Sequence, residues 1–409
     1  LYDGAELSNA LTPVGDMSGD GVPDVAAYRT TDTGSGPGAV ALLVLTTQGT
    51  LHSTLLIHGS QVSGVPPTSI LFARSMTLVD SSAGDGSISL LVGNLDATTK
   101  GGLVLLEITR GWRLRRSALF QDSAPGFPAD VAQFDSFGRQ ASSLGDLNGD
   151  GMLDVIVTAP DADHSSATNA GRAYVLRSST LGHPMKCPAS LLLLGVAGCE
   201  LLQPQKPSST PAGSQPLAFV PGRGAAHDSF GAASVQLGIP AGSVNPVFAV
   251  GAPGDSGTVG RLYIVQAGRP APLLDFAPPA PAPAGFGTSV DVLAVDGDGL
   301  ATHLVVGAPL AGTNSRGGLL LLEISNSVTA PVVTSTGLVG STEFSSFAED
   351  GELMGWAVAT QPTSPINARM LAVGRPGATG SMSGAVRAGA VALVAIDVAT
   401  LTGVIISAS

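Results

Sequence analysis

The 409-residue sequence has few charged residues, few aromatic residues and only two cysteines. Asp, Glu, Lys and Arg together make up 12% of the chain, which is about half of the usual ~25%. Aromatic residues make up 4%. The charges that are present are mostly acidic, since 31 acidic and 19 basic residues give a net charge of −12. This balance argues against a nucleic-acid-binding surface.

Long apolar runs and helical patterns are also missing. The longest strongly apolar run, 189–198, is far shorter than the ~20 residues that a membrane-spanning helix needs. We therefore predict no membrane span within this chain. No stretch sustains a 3.6-residue apolar period, so we expect few helices. No signal peptide follows Leu1, which indicates a mature or excerpted segment.

The common catalytic motifs are absent as well. The sequence has no H-E-x-x-H zinc motif, no Walker phosphate loop and no C-x-x-C pair. Its six histidines are scattered singly along the chain. We therefore predict that the chain is not an enzyme, and we assign no catalytic residue.

Glycine is abundant, with 54 residues, and the sequence repeats itself. Three copies open with Phe-Gly and carry Ala-Pro after a second apolar run, the other copies keep parts of this pattern, and all six begin a third apolar run with glycine. The repeats tile the chain, so we predict a single domain over 1–409 with an insertion at about 178–229. Six copies begin near Leu7, Phe72, Phe137, Phe230, Phe286 and Met354.

The repeat length predicts the architecture. Each copy spans about 60 residues and holds several short apolar runs rich in Val, Leu, Ile and Ala, separated by Gly, Pro and Asp. Such a period is typical of the blades of a β-propeller. We predict an all-β propeller of four-stranded antiparallel blades, and we count six of them.

Two copies carry an acidic loop between their first and second apolar runs. Oxygen-bearing side chains stand at loop positions 1, 3, 5 and 9, glycine stands at position 6, and the carbonyl of position 7 adds another oxygen. This pattern suits a tight turn around Ca²⁺. The predicted ligands are Asp16, Ser18, Asp20, Val22 and Asp24 in the first copy, and Asp146, Asn148, Asp150, Met152 and Asp154 in the third.

Other interpretations of these loops are less favourable. An EF-hand needs a bidentate Glu at position 12, where Ala27 and Val157 stand. A metal-free Asx-rich turn remains the structural alternative. The fifth copy keeps only Asp296 and Asp298 and is a poorer candidate, as is the second, 80–86. We expect about two Ca²⁺ ions with a structural role, each stiffening a hairpin.

The order of aromatic-Gly, D-x-[DNS]-x-D-G-x-x-D loop and Gly-Ala-Pro resembles the FG-GAP repeat, which forms the blades of the integrin α-subunit head. The resemblance covers nearly the whole chain. It implies a β-propeller, and by analogy with the integrin head it leaves a seventh blade open. It also implies calcium binding and an extracellular or cell-surface location, reached through the secretory pathway.

The resemblance further implies a function in adhesion or assembly. We expect a protein partner, or incorporation into a matrix or surface assembly. A lectin-like glycan-binding propeller and the accessory propeller of a secreted hydrolase stay as alternatives. An oxidising exterior favours a disulfide between Cys187 and Cys199 over two buried free thiols. The Ala-Pro alternation at 278–283 resembles O-glycosylated wall glycoproteins, although a stiff connector between strands is the interpretation that we favour.

One basic cluster remains unexplained by the repeat. Arg110, Arg113, Arg115 and Arg116 surround Trp112. They form either a solvated outer strand or a docking patch for an acidic partner or a sulfated glycan.

Overall fold

The fold was analysed in a computed structural model of the full chain. The structure describes residues 7–29, 38–46, 51–65, 71–80, 86–95, 100–122, 124, 127–145, 154–163, 168–176, 217–219, 229–240, 243, 246–254, 259–266, 269, 271–279, 283–312, 315–325, 331–339, 353–360, 368–376 and 390–408.

The described residues form 24 strands in six four-stranded antiparallel sheets, which confirms the predicted all-β fold. Each sheet takes four strands that are consecutive in the sequence, so each is one blade.

Blade 1 holds β1 (Leu7–Gly15), β2 (Asp24–Arg29), β3 (Ala39–Leu45) and β4 (Leu51–His58). Blade 2 holds β5 (Leu71–Asp80), β6 (Ile88–Leu95), β7 (Gly102–Ile108) and β8 (Leu114–Gln121). Blade 3 holds β9 (Ala141–Gly145), β10 (Asp154–Ala159), β11 (Arg172–Leu176) and β12 (Leu217–Phe219).

Blade 4 holds β13 (Ala233–Gly238), β14 (Val247–Ala252), β15 (Arg261–Gln266) and β16 (Leu274–Phe276). Blade 5 holds β17 (Ser289–Val295), β18 (Ala301–Gly307), β19 (Leu319–Ile324) and β20 (Val333–Val339). Blade 6 holds β21 (Val358–Thr360), β22 (Ala368–Arg375), β23 (Ala390–Asp397) and β24 (Thr402–Ala408).

The six blades close into a ring around a central axis. The first strand of every blade contacts the first strands of both neighbours, in the order β1, β5, β9, β13, β17, β21 and back to β1. The described strands therefore form a six-bladed propeller, without the seventh blade that the integrin analogy left open. The described part of the chain contains no α-helix, only one 3-10 turn at Gly59–Gln61.

Burial along the strands explains why these sequences form blades. The second strands β6, β10 and β14 are buried at every residue, because both of their faces pack against neighbouring blades. Their near-continuous Val, Ile, Leu and Ala content suits that position. The outer strand β8 is exposed or half-buried at all but one residue, and its exposed residues include Arg115 and Arg116. A low charged fraction thus follows from a fold with many fully buried strands.

The repeated aromatic-Gly motif joins each blade to the blade before it. The amide of Phe137, at the start of blade 3, donates to the carbonyl of Lys100 in blade 2 (3.1 Å). Gly101 pairs with Phe137 in a parallel bridge. A Cβ at Gly101 would lie 2.1 Å from the Phe137 carbonyl oxygen. This close approach explains why glycine begins the third apolar run of each copy.

The insertion predicted at about 178–229 contributes to blade 3. Strand β12, Leu217–Phe219, lies within it and pairs with β11 as the outer strand of the blade. The structure also describes 229 at the end of this segment. Cys187 and Cys199 lie outside the described residues, so their disulfide stays a prediction.

Candidate functional site

The first acidic loop connects β1 to β2 on one face of the ring, which we call the loop face. The opposite face carries the aromatic-Gly motifs, such as Phe137-Gly138, and we call it the FG face. Every first strand runs from the FG face to the loop face, so the hairpins of all six blades share one side. Loop 16–23 is mostly exposed, whereas Met17 is buried beneath it.

Asp16 organises the backbone of this loop. Its Oδ1 accepts hydrogen bonds from the amides of Gly19 (2.6 Å) and Asp20 (3.1 Å), and its Oδ2 accepts one from Gly21 (2.8 Å). The Ser18 hydroxyl lies 3.3 Å from Oδ1. Slight desolvation raises the pKa of Asp16, but these hydrogen bonds outweigh it, and the net pKa is lower than usual. The carboxylate is therefore held in its charged form.

Asp24 closes the loop from below and is fully buried. Its Oδ2 accepts the amides of Met17 (3.0 Å) and Ser18 (3.0 Å), and its Oδ1 accepts the amide of Leu45 (3.1 Å). Desolvation raises the pKa of Asp24, and repulsion from Asp16 adds to this, while the three hydrogen bonds act in the opposite direction. A cation in the loop would relieve both costs.

The donor set of this loop fits Ca²⁺, whereas the carboxylates themselves turn towards backbone amides. Among the described residues, no three His, Cys, Asp or Glu side chains are gathered into a metal-binding group. Asp16 Oδ2 and Asp24 Oδ1 each accept only one N–H, so each keeps a free lone pair for a cation. Asp16, Ser18, Asp20, Asp24 and the Val22 carbonyl would hold the ion after side-chain rotation.

The fifth loop shows how a hairpin closes without acids at its ends. The Thr302 hydroxyl, at position 9, donates to the carbonyl of Ala294, at position 1 (3.2 Å). Inside the turn, Asp296 Oδ1 accepts the amides of Asp298 and Leu300, both at 2.9 Å. Direct hydrogen bonds thus link the two loop ends that carboxylates and a cation would link in the first loop.

The third loop is described only at its last residue. Asp154 is fully buried and pairs with Gly145 beside a register shift, as Asp24 pairs with Gly15 in blade 1. Asp146, Asn148, Asp150 and Met152 lie outside the described residues, and so does most of the second loop. Their ligand roles stay predictions.

The basic cluster lies on the outer rim of blade 2, with Trp112 in the turn between β7 and β8. Trp112 is half-buried and packs on the core of blades 1 and 2. Arg113 and Arg115 are exposed. Arg110 extends to the first acidic loop, where a Cβ on Gly19 would meet its guanidinium. The patch therefore borders the first candidate calcium loop, a proximity that the sequence did not indicate.

A cavity of about 410 Å³ opens on the FG face at the centre of the ring. The beginnings of all six first strands line it, together with the segments that follow the second strands of blades 3 and 4. Sequence reasoning missed this site, because its residues belong to six separate copies. Among its lining residues are Arg74, Arg139, Asp161, Thr288 and Trp356.

A family model described as the FG-GAP repeat matches residues 137–176. This stretch runs from the aromatic-Gly pair of blade 3 to the end of β11, and it includes the third acidic loop. This match and the six-bladed ring together support an FG-GAP β-propeller.

Other comparisons add little to this assignment. No curated protein matches the sequence. Among solved structures, a glucose dehydrogenase is similar at 12% identity and a TM-score of 0.45, with 91% of this chain and 93% of that chain covered. A likeness at this level says nothing about the activity of this propeller. None of its described residues forms a helix long and apolar enough to cross a membrane.

Proposed function

We propose that this FG-GAP propeller is a non-catalytic binding and assembly module that works outside the cell and is stabilised by Ca²⁺. The proposal rests on the oxygen donors of the first acidic loop. It presents three carboxylates, a hydroxyl and a peptide carbonyl on one short hairpin, and one of those carboxylates, Asp24, is buried. Oxygen donors of this kind are the ligands that Ca²⁺ prefers in proteins.

Calcium would stabilise the hairpin and would not take part in catalysis. Without the ion, the charged Asp16 and the buried Asp24 repel each other. With the ion, both loop ends are held together, and the loop face of blade 1 becomes rigid. The third loop repeats this arrangement in sequence and in the burial of Asp154. Two rigid hairpins on the same face would present a fixed surface to a partner.

Propellers of this repeat family commonly mediate protein–protein interactions, and loops on a rigid scaffold are frequent binding surfaces. An adhesive or assembly role is therefore the function we favour. Extracellular fluid supplies millimolar Ca²⁺, which suits sites of the modest affinity typical of extracellular modules, with Kd about 10⁻⁴–10⁻³ M.

Thermal unfolding of the chelator-stripped chain tests the calcium part of the proposal. We expect added Ca²⁺ to raise Tm, and we expect Asp16→Asn combined with Asp146→Asn to abolish most of the rise. Asp298→Asn, in the fifth loop, is the matched control and should respond as the wild type does. An unchanged Tm in millimolar Ca²⁺ would contradict the proposal.

A second measurement tests the non-catalytic part. The calcium-loaded chain is assayed for hydrolase and oxidoreductase activity and, in parallel, applied to a glycan array. No turnover together with no glycan binding would support a protein-assembly role. Turnover that purifies with the chain would overturn it, and saturable binding to one glycan class would replace it with the lectin-like alternative.

A further inference from the structure

The central cavity on the FG face has a charge pattern that the interaction role does not explain. Arg74 and Arg139 occupy the same repeat position, two residues after the opening aromatic, in the adjacent blades 2 and 3. The corresponding residues in blades 4, 5 and 6 are Ala232, Thr288 and Trp356. Positive charge is therefore concentrated on one side of the cavity.

The described residues offer few hydrogen-bond or ion-pair partners to the guanidinium groups of Arg74 and Arg139. Arg74 Nε is buried without a hydrogen-bond partner. Neither arginine makes an ion pair with a carboxylate of the described residues. Buried polar groups in folded proteins are nearly always paired, so an unpaired guanidinium N–H at a cavity wall calls for an explanation.

The acidic group at this wall has another partner. Asp161 lines the cavity, and its Oδ2 accepts a hydrogen bond from the Ser136 hydroxyl (2.5 Å). Its attraction to Arg139 is outweighed by desolvation and by repulsion from Arg74, which together lower the pKa of Arg139 to about 10. The cavity wall thus carries two arginines against one aspartate, an excess of basic groups.

Blade 6, across the ring from Arg139, contributes the apolar side chains of Trp356 and Val358 to the cavity wall. Blade 5, across the ring from blade 2, contributes the polar Thr288 and Ser289. A ligand that fills the cavity therefore meets guanidinium groups at one end and, on the blade 6 side, apolar side chains. The volume of about 410 Å³ is within the ~300–1,000 Å³ of small-molecule pockets.

We propose that this cavity binds a small organic acid, whose oxyanion contacts Arg74 and Arg139 and whose apolar part packs towards Trp356 and Val358. Arginine is suited to this role because its planar fork pairs with two oxygens of one anion through charge-assisted hydrogen bonds. The site lies on the FG face, away from the acidic loops, and it does not depend on the proposed calcium function.

Isothermal titration calorimetry of the full chain tests the site, with benzoate, acetate, inorganic phosphate and the neutral benzyl alcohol as probes. The protein is stripped of metal and then dialysed free of chelator, because chelators are themselves carboxylates. We expect benzoate to bind most tightly and benzyl alcohol to give no heat. Phosphate binding in the absence of benzoate binding would overturn the assignment to an organic acid.

Variants identify the residues responsible. Arg74→Gln and Arg139→Gln should each weaken benzoate binding about tenfold or more, since each removes a charge-assisted contact. Arg113→Gln, on the exposed outer turn, removes the same charge and should change nothing. Arg139→Lys keeps the charge but loses the fork and should also bind more weakly. Unchanged benzoate affinity in both glutamine variants would refute the site.

The unliganded Tm separates a binding role from a structural one. Glutamine at either position removes the repulsion between two desolvated like charges, so we expect the Tm without benzoate to stay the same or to rise. A clear fall in Tm of the unliganded Arg74→Gln variant would show that the arginine supports the fold, and it would count against the proposal.

Discussion

At the scale of single residues, backbone conformation explains the repeat motif better than side-chain chemistry does. The glycine after each opening aromatic has a left-handed φ, +93° at Gly138 and +95° at Gly231. A Cβ at Gly138 would lie 2.2 Å from the Gly102 carbonyl oxygen of the preceding blade. Blade 2 keeps the conformation with Ala73, at φ +69°. The second copy of the repeat thus keeps the backbone conformation of the motif although it has no glycine at this position.

Gly138→Ala is therefore expected to destabilise the propeller. The left-handed conformation costs an alanine about 1–2 kcal/mol, and the contact with the Gly102 carbonyl adds about 1–3 kcal/mol of overpacking. We expect the free energy of unfolding to fall by about 2–5 kcal/mol in urea denaturation. Gly297→Ala is the control, because its Cβ would meet nothing within 4 Å. Equal stability of the two variants would contradict this account of the motif.

The half-buried Asp291 in β17 is expected to make stability depend on pH. Asp291 Oδ2 accepts the amide of Thr360 (2.7 Å), which ties blade 5 to blade 6. Desolvation raises the pKa of Asp291, although hydrogen bonds from Thr360 and Val292 oppose it. A raised pKa means that the folded state holds this proton at a pH where the unfolded state has released it. The contribution of Asp291 to stability therefore falls as pH rises from about 3.8 through the folded pKa.

Asp291→Asn should make Tm less dependent on pH. We expect the wild-type chain to lose more stability than the variant between about pH 4 and pH 7, measured by calorimetry in chelator-free buffer. Asp298→Asn, at an exposed position, should follow the wild-type profile. The hypothesis fails if the profiles of wild type and Asp291→Asn are parallel.

At the scale of elements, the same hairpin is closed by different chemistry in different blades. Blade 1 places Asp16 and Asp24 at the two ends of its loop, where charge repulsion calls for a cation. Blade 5 places Ala294 and Thr302 there and closes the loop with a hydrogen bond of 3.2 Å. The hairpin fold therefore does not require a metal in every copy.

Ala294→Asp with Thr302→Asp should convert the fifth loop into a calcium site. The double variant restores carboxylates at positions 1 and 9 around the existing Asp296 and Asp298. We expect lower stability than the wild type without metal and a larger Ca²⁺-dependent gain. One added site contributes about 2.7 kcal/mol at 100 times its Kd. Differential scanning fluorimetry across a Ca²⁺ series measures this gain.

Ala294→Asn with Thr302→Asn is the matched control, since it adds polar volume without charge. A calcium response no larger than that of the wild type in the carboxylate variant would show that loop position alone does not create a site.

At the scale of the whole molecule, the ring closes without exchange of strands between its ends. Blade 1 uses the four strands at the start of the described chain, and blade 6 uses the four at its end. The seam between them is an apolar cluster rich in small residues. Its buried members are Leu11, Ala27, Ala41, Leu43, Ala357, Ala359 and Ala372. Blades 1 and 6 are not consecutive in the described chain, unlike the other pairs of neighbouring blades.

Leu43→Ala should therefore open the ring as well as destabilise it. Removing a buried leucine costs about 2–5 kcal/mol. Leu237→Ala, in the core shared by blades 4 and 5, removes a similarly buried side chain, 5% exposed against 7% for Leu43. We expect comparable losses of stability in both variants.

Only Leu43→Ala should also increase the radius of gyration in X-ray scattering and speed hydrogen exchange in β21 and β22. The same scattering and exchange behaviour in both variants would indicate that the seam is no weaker than the other blade contacts.

Much of this fold could be predicted from local patterns. Short β-branched and aliphatic runs, punctuated by Gly and Asp, predicted strands, and their repetition predicted six blades. Blade 2 was predicted correctly from the second copy of the repeat, although Ala73 replaces the glycine of the motif. The outer strand of blade 3 was harder to place, because β12 follows a long segment and only its pairing with β11 reveals it. The acidic loops were visible because their residues are consecutive.

The sequence by itself determined which hairpins carry the acidic pattern and how many copies form the ring, because both depend on residues that are close along the chain. Only the tertiary structure showed that Arg74 and Arg139, 65 positions apart, line one cavity with Trp356 opposite them. It also showed that an alanine-rich apolar cluster packs between blades 1 and 6. These features depend on closing the ring, which brings distant copies together around one axis.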